Sequence, residues 1–360
     1  MSQAVLMRPD TEFIGRLVAS GGGDLKKCYQ CATCSVACEL APDDAPFPRK
    51  QMVEAQWGLK NSLMADPALW LCHNCGKCTE RCPRGARPGD VLAALRREAI
   101  RWFAFPRFMG SLAANPKALP LLFLLPALIF TAVLLWVPAG TAPFEYASRF
   151  PAVVLEPLFF AVSGFALLAF AIGLVRFTRQ LGPPGGSVAR GLPSTMAEIA
   201  THKRFTLCRE PAARLGHLLT FWGFVGLALV GTITGIGTMA GVVHSPLPLL
   251  GALKLFANAC AAVALVGAIL LLVRRTADSA RRAASTYFDW FFVWTLAGVL
   301  FTGIVSELLR LAHTNAMYAV YFVHLVLVFG LLAYAPYSKF AHFAYRTVAL
   351  AHSGQSNARI

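Results

Sequence analysis

Residues 28–38 read CYQCATCSVAC and residues 72–83 read CHNCGKCTERCP, and these two stretches decide how the first third of the chain folds. Each run spaces its cysteines as C-x2-C-x2-C-x3-C: Cys28, Cys31, Cys34 and Cys38, then Cys72, Cys75, Cys78 and Cys82, with Pro83 following. A cubane iron–sulfur cluster needs four thiolates converging on one point, and two-residue spacing lets three of them come from one tight loop. The fourth cysteine of such a run typically ligates the other cluster. The spacing therefore predicts two [4Fe-4S] sites, one on Cys28, Cys31, Cys34 and Cys82, the other on Cys72, Cys75, Cys78 and Cys38. Structural zinc would explain one CxxC pair but not two complete runs. The first run departs from the second in one respect: Cys38 is followed by Glu39-Leu40-Ala41, with no proline until Pro42.

Composition supports metal ligation over disulfides. Eight of the ten cysteines fall in the first 82 residues, and the opening MSQAVLMRPDTEF lacks the apolar core of a secretory signal, so this part is expected in the reducing cytoplasm. Cys208 and Cys260 have no partners at ligand spacing and read as ordinary thiols. His73, between cluster ligands, reads as a polar neighbour. The 33 residues between the runs look helical, with Met52, Ala55, Trp57 and Leu63 in a stretch that starts after Pro48. Beyond the second run, Asp90 can cap a helix through Val91, Leu92, Leu95 and Ala99. The expected fold is all-α: an α-helical ferredoxin domain with two [4Fe-4S] clusters over residues 1–110, then a six-helix transmembrane cytochrome b bundle over 111–360.

The membrane assignment comes from the 56% hydrophobic content, which is concentrated after Lys117. Six apolar stretches, at 118–137, 153–175, 215–236, 248–273, 288–308 and 317–338, reach or approach the ~20 residues a spanning helix needs. The formal net charge of +15 is distributed as a topology signal and gives no reason to expect nucleic-acid binding. Arg176, Arg179, Arg190, Lys203, Arg204, Arg209 and Arg214 crowd one connection, and Arg274, Arg275, Arg281 and Arg282 another. The alternate connections carry only Arg149, nothing, and Arg310. The positive-inside rule then places both termini in the cytoplasm of a multi-pass protein of the inner membrane. Pro183, Pro184, Gly185 and Gly186 read as a cytoplasmic linker.

Haem b in a helical bundle needs two imidazoles from facing helices. His324 and His342 stand eighteen residues apart in YFVHLVLVFGLLAYAPYSKFAH. On one continuous helix that is about five turns, with both rings on one face and roughly 27 Å apart along the axis. His217 opens the third span at the cytoplasmic end and His342 closes the sixth at the same end, so these two form the expected axial pair. A second haem would use His324, with His244 preferred over His313 as its partner. His202 and His352 read as surface residues.

With these residues in place, a resemblance extends over nearly the whole chain. The two cysteine runs resemble the C subunit of heterodisulfide reductase. HLLTFWGF, TGIVSELLRLAH and HLVLVF…PYSKFAH resemble the nitrate-reductase gamma and membrane heterodisulfide-reductase cytochrome b group. A chain joining both modules is similar to the C-subunit family of the quinone-interacting membrane-bound oxidoreductase (Qmo) complex. The resemblance implies two b haems, two FAD-containing heterodisulfide reductase A-like partner subunits, and electron exchange between the quinone pool (menaquinone or ubiquinone) and adenylylsulfate (APS) reductase. It also implies His217, His324 and His342 as ligands. The nitrate-reductase branch has a further histidine in the third span where this chain has Leu227.

The expected function is that of an electron-transfer subunit, not catalytic alone and with no catalytic residue assigned. It would pass electrons between quinone and cytoplasmic flavoproteins in sulfur metabolism. Intramembrane ionisable residues are functional suspects, which singles out Lys254 and Glu307 for quinone; the plainer reading has Lys254 reaching the interface and Glu307 paired with Arg310. Two alternatives stand beside this. One is the membrane subunit of a heterodisulfide reductase or sulfite-pathway complex. The other is a haem-free membrane anchor for a ferredoxin domain.

Overall fold

The computed structural model describes residues 8–181, 188–207, 211–244 and 246–354. The Pro183–Gly186 linker, Cys208 and Arg209 lie outside the described residues. In chain order the helices are α1 (Thr11–Leu17), α2 (Thr33–Val36), α3 (Arg49–Gln56), α4 (Lys60–Met64), α5 (Ala68–Leu71), α6 (Lys77–Glu80), α7 (Pro88–Phe103), α8 (Arg107–Ala113) and α9 (Leu119–Trp136). They continue as α10 (Ala152–Gln180), α11 (Val188–Thr201), α12 (Arg204–Leu207), α13 (Pro211–Met239), α14 (Ala252–Ala277), α15 (Ser279–Ala284), α16 (Tyr287–Leu311), α17 (Ala316–Ala333) and α18 (Ala341–Ser353). No strand occurs among the described residues, as the all-α reading expected.

The chain divides by its contacts into two compact units. The first is not one continuous segment: it joins residues 1–114 with 169–211 and 339–360. Its core is aromatic. Trp70 stacks on Tyr345 with centroids 4.9 Å apart, and Phe103 and Phe177 meet the pair edge-on or tilted. These four rings come from α5, α7, α10 and α18, so the C-terminal helix and the end of α10 are part of the unit that holds the cysteines. Polar ties follow the same route: Arg176 donates to the Ala104 carbonyl at 2.6 Å, and Trp102 Nε1 to Gln180 Oε1 at 3.0 Å.

The helix after the second cysteine run begins three residues earlier than expected. Pro88 takes its first position, where a missing N–H costs nothing, and Asp90 sits in the first turn bonded to Arg87 instead of capping.

The second unit comprises residues 115–168 and 212–338. Six helices among the described residues are long and apolar enough to cross a membrane: Pro116–Trp136, α10, α13, α14, α16 and α17. Each matches one of the six stretches read from sequence. The second runs on to Gln180, past Arg176 and Arg179.

α13 and α14 approach closely through small residues. A Cβ added at Gly223 would stand 2.6 Å from the Cβ of Ala264, and one at Gly267 2.6 Å from Thr220 N. In lipid, where apolar burial gives helices no reason to associate, such close backbone approach supplies the packing energy. Cys260 is buried in this seam, consistent with an ordinary thiol.

The sixth span ends sooner than the sequence reading places it. α17 stops at Ala333, a 3-10 turn covers Ala335–Tyr337, and α18 starts only at Ala341. Pro336 lacks an N–H and cannot continue the ladder, so the chain turns there. His342 is therefore not on the helix of His324, and the same-face argument over five turns does not apply to it.

Candidate functional site

The two cysteine loops share one backbone solution. In the first, Gln30 and Ala32 are left-handed, with φ of 60° and 67°; in the second, the equivalent Asn74 and Gly76 have φ of 54° and 91°. Two left-handed residues in each C-x2-C-x2-C run curl the chain so that its thiols can face one point. A one-turn helix follows each, α2 and α6, and these two lie against each other. Backbone N–H groups of the loops already point at sulfur: Gln30 N to Cys28 Sγ at 3.4 Å, Asn74 N to Cys72 Sγ at 3.3 Å, and Ala86 N to Cys82 Sγ at 3.3 Å.

Cys38, Cys72, Cys75 and Cys78 line one shallow recess, with Phe47, Pro48 and Leu92 on its apolar side. The end of the first run is thus next to the second loop, and an ion pair holds it there: Lys77 Nζ meets Glu39 Oε1 at 2.6 Å. This tie stands where the sequence lacks the proline that follows Cys82.

Burial pushes the Cys38 thiol up to about 11, with Cys72 and Cys75 adding repulsion. Cys78 is pushed up further by burial and by Cys72, Cys38 and Cys75. Cys34 is likewise raised by burial to about 11, with charge repulsion from Cys28 and Cys82. Cys31 is exposed, and the Thr33 hydroxyl and backbone N–H hold its thiol below the usual value. Crowded thiols of this kind lose their protons together only when a cation takes the protons' place, though among the described residues no three His, Cys, Asp or Glu side chains are grouped closely enough to hold one metal ion.

His342 opens α18. Its Nδ1 lies 2.5 Å from the Lys339 carbonyl, which leaves Nε2 for another partner. Burial pushes its pKa down to about 4, and Lys339, Arg346 and Arg96 add to this, so the ring is neutral at physiological pH. His342 belongs to the first compact unit, and His217, in the second turn of α13, belongs to the second. His324 is on α17 with Nδ1 3.1 Å from the Thr302 hydroxyl, against Gly303 of α16. His244 is exposed in the connection after α13, while His313 stacks on Phe144 at 5.2 Å. Leu227, where the nitrate-reductase branch has histidine, packs on the apolar cluster of Ala264, Ala268, Leu296 and Leu300.

Lys254 and Glu307 meet at 2.9 Å, and Arg310 reaches both oxygens of the same carboxylate at 2.9 and 3.1 Å. The expected Glu307–Arg310 pair is present; Lys254, expected at the interface, joins it. Tyr146 stacks on Tyr321 at 4.1 Å, and Tyr321 on His324 at 6.2 Å, forming a continuous aromatic path in this part of the unit.

Glu156 escapes the sequence reading. Its carboxylate lies against Gly235 of α13, and among the described residues no donor pairs with it. An acid inside the apolar run at 153–175 is the available signal.

Comparison with known proteins bears on the cysteine loops first. Residues 24–86 match the 4Fe-4S dicluster domain family. A 4Fe-4S dicluster domain is present. Around it, the chain is similar to the C subunit of the H2:CoB-CoM heterodisulfide,ferredoxin reductase of Methanothermobacter thermautotrophicus, 40% identical over 93 residues, covering 26% of this chain and 50% of that one. It is also similar to a protein of Archaeoglobus profundus that is itself like the heterodisulfide reductase C subunit, 37% identical over 94 residues, covering 26% and 48%. The chain thus spans about half the length of these relatives. The likeness to citrate utilization protein B of Escherichia coli is weaker, 29% over 315 residues, but covers 78% of this chain and 79% of that one, and so extends into the membrane half. No solved structure matches.

Proposed function

We propose that this protein is the membrane subunit of a respiratory oxidoreductase, relaying single electrons between the quinone pool and cytoplasmic flavoprotein partners. The observation that carries the reading is the presence, in one chain, of a 4Fe-4S dicluster domain and six helices able to cross a membrane. Clusters bound at Cys28, Cys31, Cys34 and Cys82 and at Cys72, Cys75, Cys78 and Cys38 would supply the one-electron carriers. The charge asymmetry of the connections supports a cytoplasmic side for them and for both termini. His217 and His342 would hold one b haem near that side, and His324, with His244, a second toward the outer face.

Within the membrane, Lys254, Glu307 and Arg310 form a polar group in reach of the tyrosines that lead to His324. Lys254 and Glu307 would hold the quinone oxygens there, and Glu156 is a carboxyl able to take up a proton. In the Qmo-like assignment the partners would be two FAD-containing heterodisulfide reductase A-like subunits, with APS reductase the electron partner in sulfur metabolism.

A second reading, the iron–sulfur subunit of a heterodisulfide reductase-type complex, is favoured by the 40% identity to the C subunit of such an enzyme. The likeness to citrate utilization protein B along most of the chain supports a two-module layout that is not confined to one pathway. Native purification with partner identification separates these readings. A reduced-minus-oxidised spectrum of the same preparation is expected to show a b-type α-band. Its absence would leave the haem-free anchor.

A further inference from the structure

Beyond its proposed cluster ligands, the first unit contains a cationic contact that sequence spacing does not reveal. Arg346 is on α18, one turn after His342, so the two side chains leave the same face of the helix. Its guanidinium donates to the Leu71 carbonyl at 3.5 Å and to His73 Nε2, on either side of Cys72. Arg96 of α7 grips the same stretch of chain from another element, donating to the carbonyls of Leu69 at 3.0 Å and Cys72 at 3.1 Å. Beneath them, Trp70 is stacked on Tyr345, so α18 cannot slide relative to the loop without breaking a buried aromatic contact.

We infer that Arg346 is a positioning residue that docks the Cys72–Cys78 loop onto the helix bearing His342 and raises the reduction potential of the cluster held by Cys38, Cys72, Cys75 and Cys78 above that of its neighbour. This deepens the relay reading above and rests on it. The physical reason is dielectric. Adding an electron makes a cluster more negative, and a fixed cation in a low-dielectric surround stabilises that form more than a cation in water does. Burial depresses the Arg346 pKa, to about 10, yet the group stays charged at pH 7. Around the other site the arrangement differs: Cys31 is exposed, and Arg84 lies over the exposed Tyr29 ring at 4.1 Å, where solvent screens its charge. The loop of Cys72, Cys75 and Cys78 is accordingly the one tied to α18, the helix that carries His342.

The test is an EPR-monitored redox titration of the full chain in detergent, with dithionite and ferricyanide as titrants and Cys75→Ser used to assign one of the two signals to the Arg346 site. In Arg346→Gln that signal should show at least a tenfold shift in its reduction equilibrium, 59 mV lower for one electron. The other signal should not move, and Arg346→Lys should restore most of the difference. Arg96→Gln, which leaves the α18 contact whole, should lower the same signal by less, and serves if Arg346→Gln fails to fold. Unmoved midpoints in both glutamine variants, or equal shifts of both signals, would overturn the inference. A wild-type chain with neither signal would instead sink the iron–sulfur reading itself, and a shift seen in a chain without haem would sink only the haem assignment.

Discussion

Lys254 on α14 and Glu307 on α16 meet at 2.9 Å inside the membrane half, and Arg310 closes on the same carboxylate at 2.9 Å. Two cations thus share one anion among helices with few other charges. Removing the anion leaves both cations uncompensated, which in a largely buried setting costs about 3–5 kcal/mol. Glu307→Gln is therefore expected to lower the melting temperature in detergent markedly. Lys254→Ala leaves Arg310 to neutralise Glu307 and should fold; if Lys254 holds quinone, quinol-driven haem reduction is lost in that variant. Intact reduction in Lys254→Ala would remove Lys254 from the quinone site.

The haem assignment has its own test at His342. His342→Ala should remove the cytoplasm-side haem from the optical spectrum while the iron–sulfur EPR signals persist. Unchanged haem content would refute the pairing with His217.

The depressed pKa of His342 also fixes a pH dependence. Its folded value, about 4, is below the unfolded value near 6.5, so the unfolded chain binds more protons between the two. Its contribution to stability is whole above about pH 6.5 and is lost as pH falls toward 4. The folded haem-free chain, its imidazole neutral until the pH nears 4, should accordingly take up haem equally well from pH 8 to about pH 5. A sharp loss of uptake between pH 8 and 7 would contradict the neutral, buried imidazole.

Cross-ligation can be read from single serine variants. Cys38→Ser should disturb the same EPR signal as Cys75→Ser, although Cys38 belongs to the first run. Cys82→Ser should disturb the signal that Cys31→Ser does. If each fourth cysteine instead follows its own run, the assignment is wrong.

The loop equivalence predicts a stabilising substitution. Ala32 is held at φ 67°, where Gly76 stands in the second loop. A left-handed alanine costs about 1 kcal/mol relative to glycine at such a position. Ala32→Gly should slow cluster loss under denaturant, and Gly76→Ala should hasten it.

Several of these features are legible in the sequence and several are not. The cysteine runs and the six spans can be read because ligand spacing and apolar length are local properties. The end of the sixth span is harder, because apolar character continues past Ala333 while Pro336 ends the helix for a backbone reason. Asp90 matches a capping pattern, but Pro88 fits the first position better. Glu156 stands out only by its apolar surroundings. Arg346 does not stand out at all, because nothing near it in sequence points to Cys72.

The sequence alone determined the class of chemistry and the number of spans. Thiol spacing permits few metals, and a bilayer admits only segments long and apolar enough to cross it. Tertiary structure decided which groups meet. It put α18 and the end of α10 in the unit with the cysteines, brought Cys38 beside the second loop through Glu39 and Lys77, and joined Lys254 to Glu307. Those partners are 34 to 275 residues apart in the chain, from Cys38–Cys72 to Leu71–Arg346. Packing of Trp70 on Tyr345, and the need of each buried charge for a counter-charge, bring them together, and neither leaves a local trace in the order of residues.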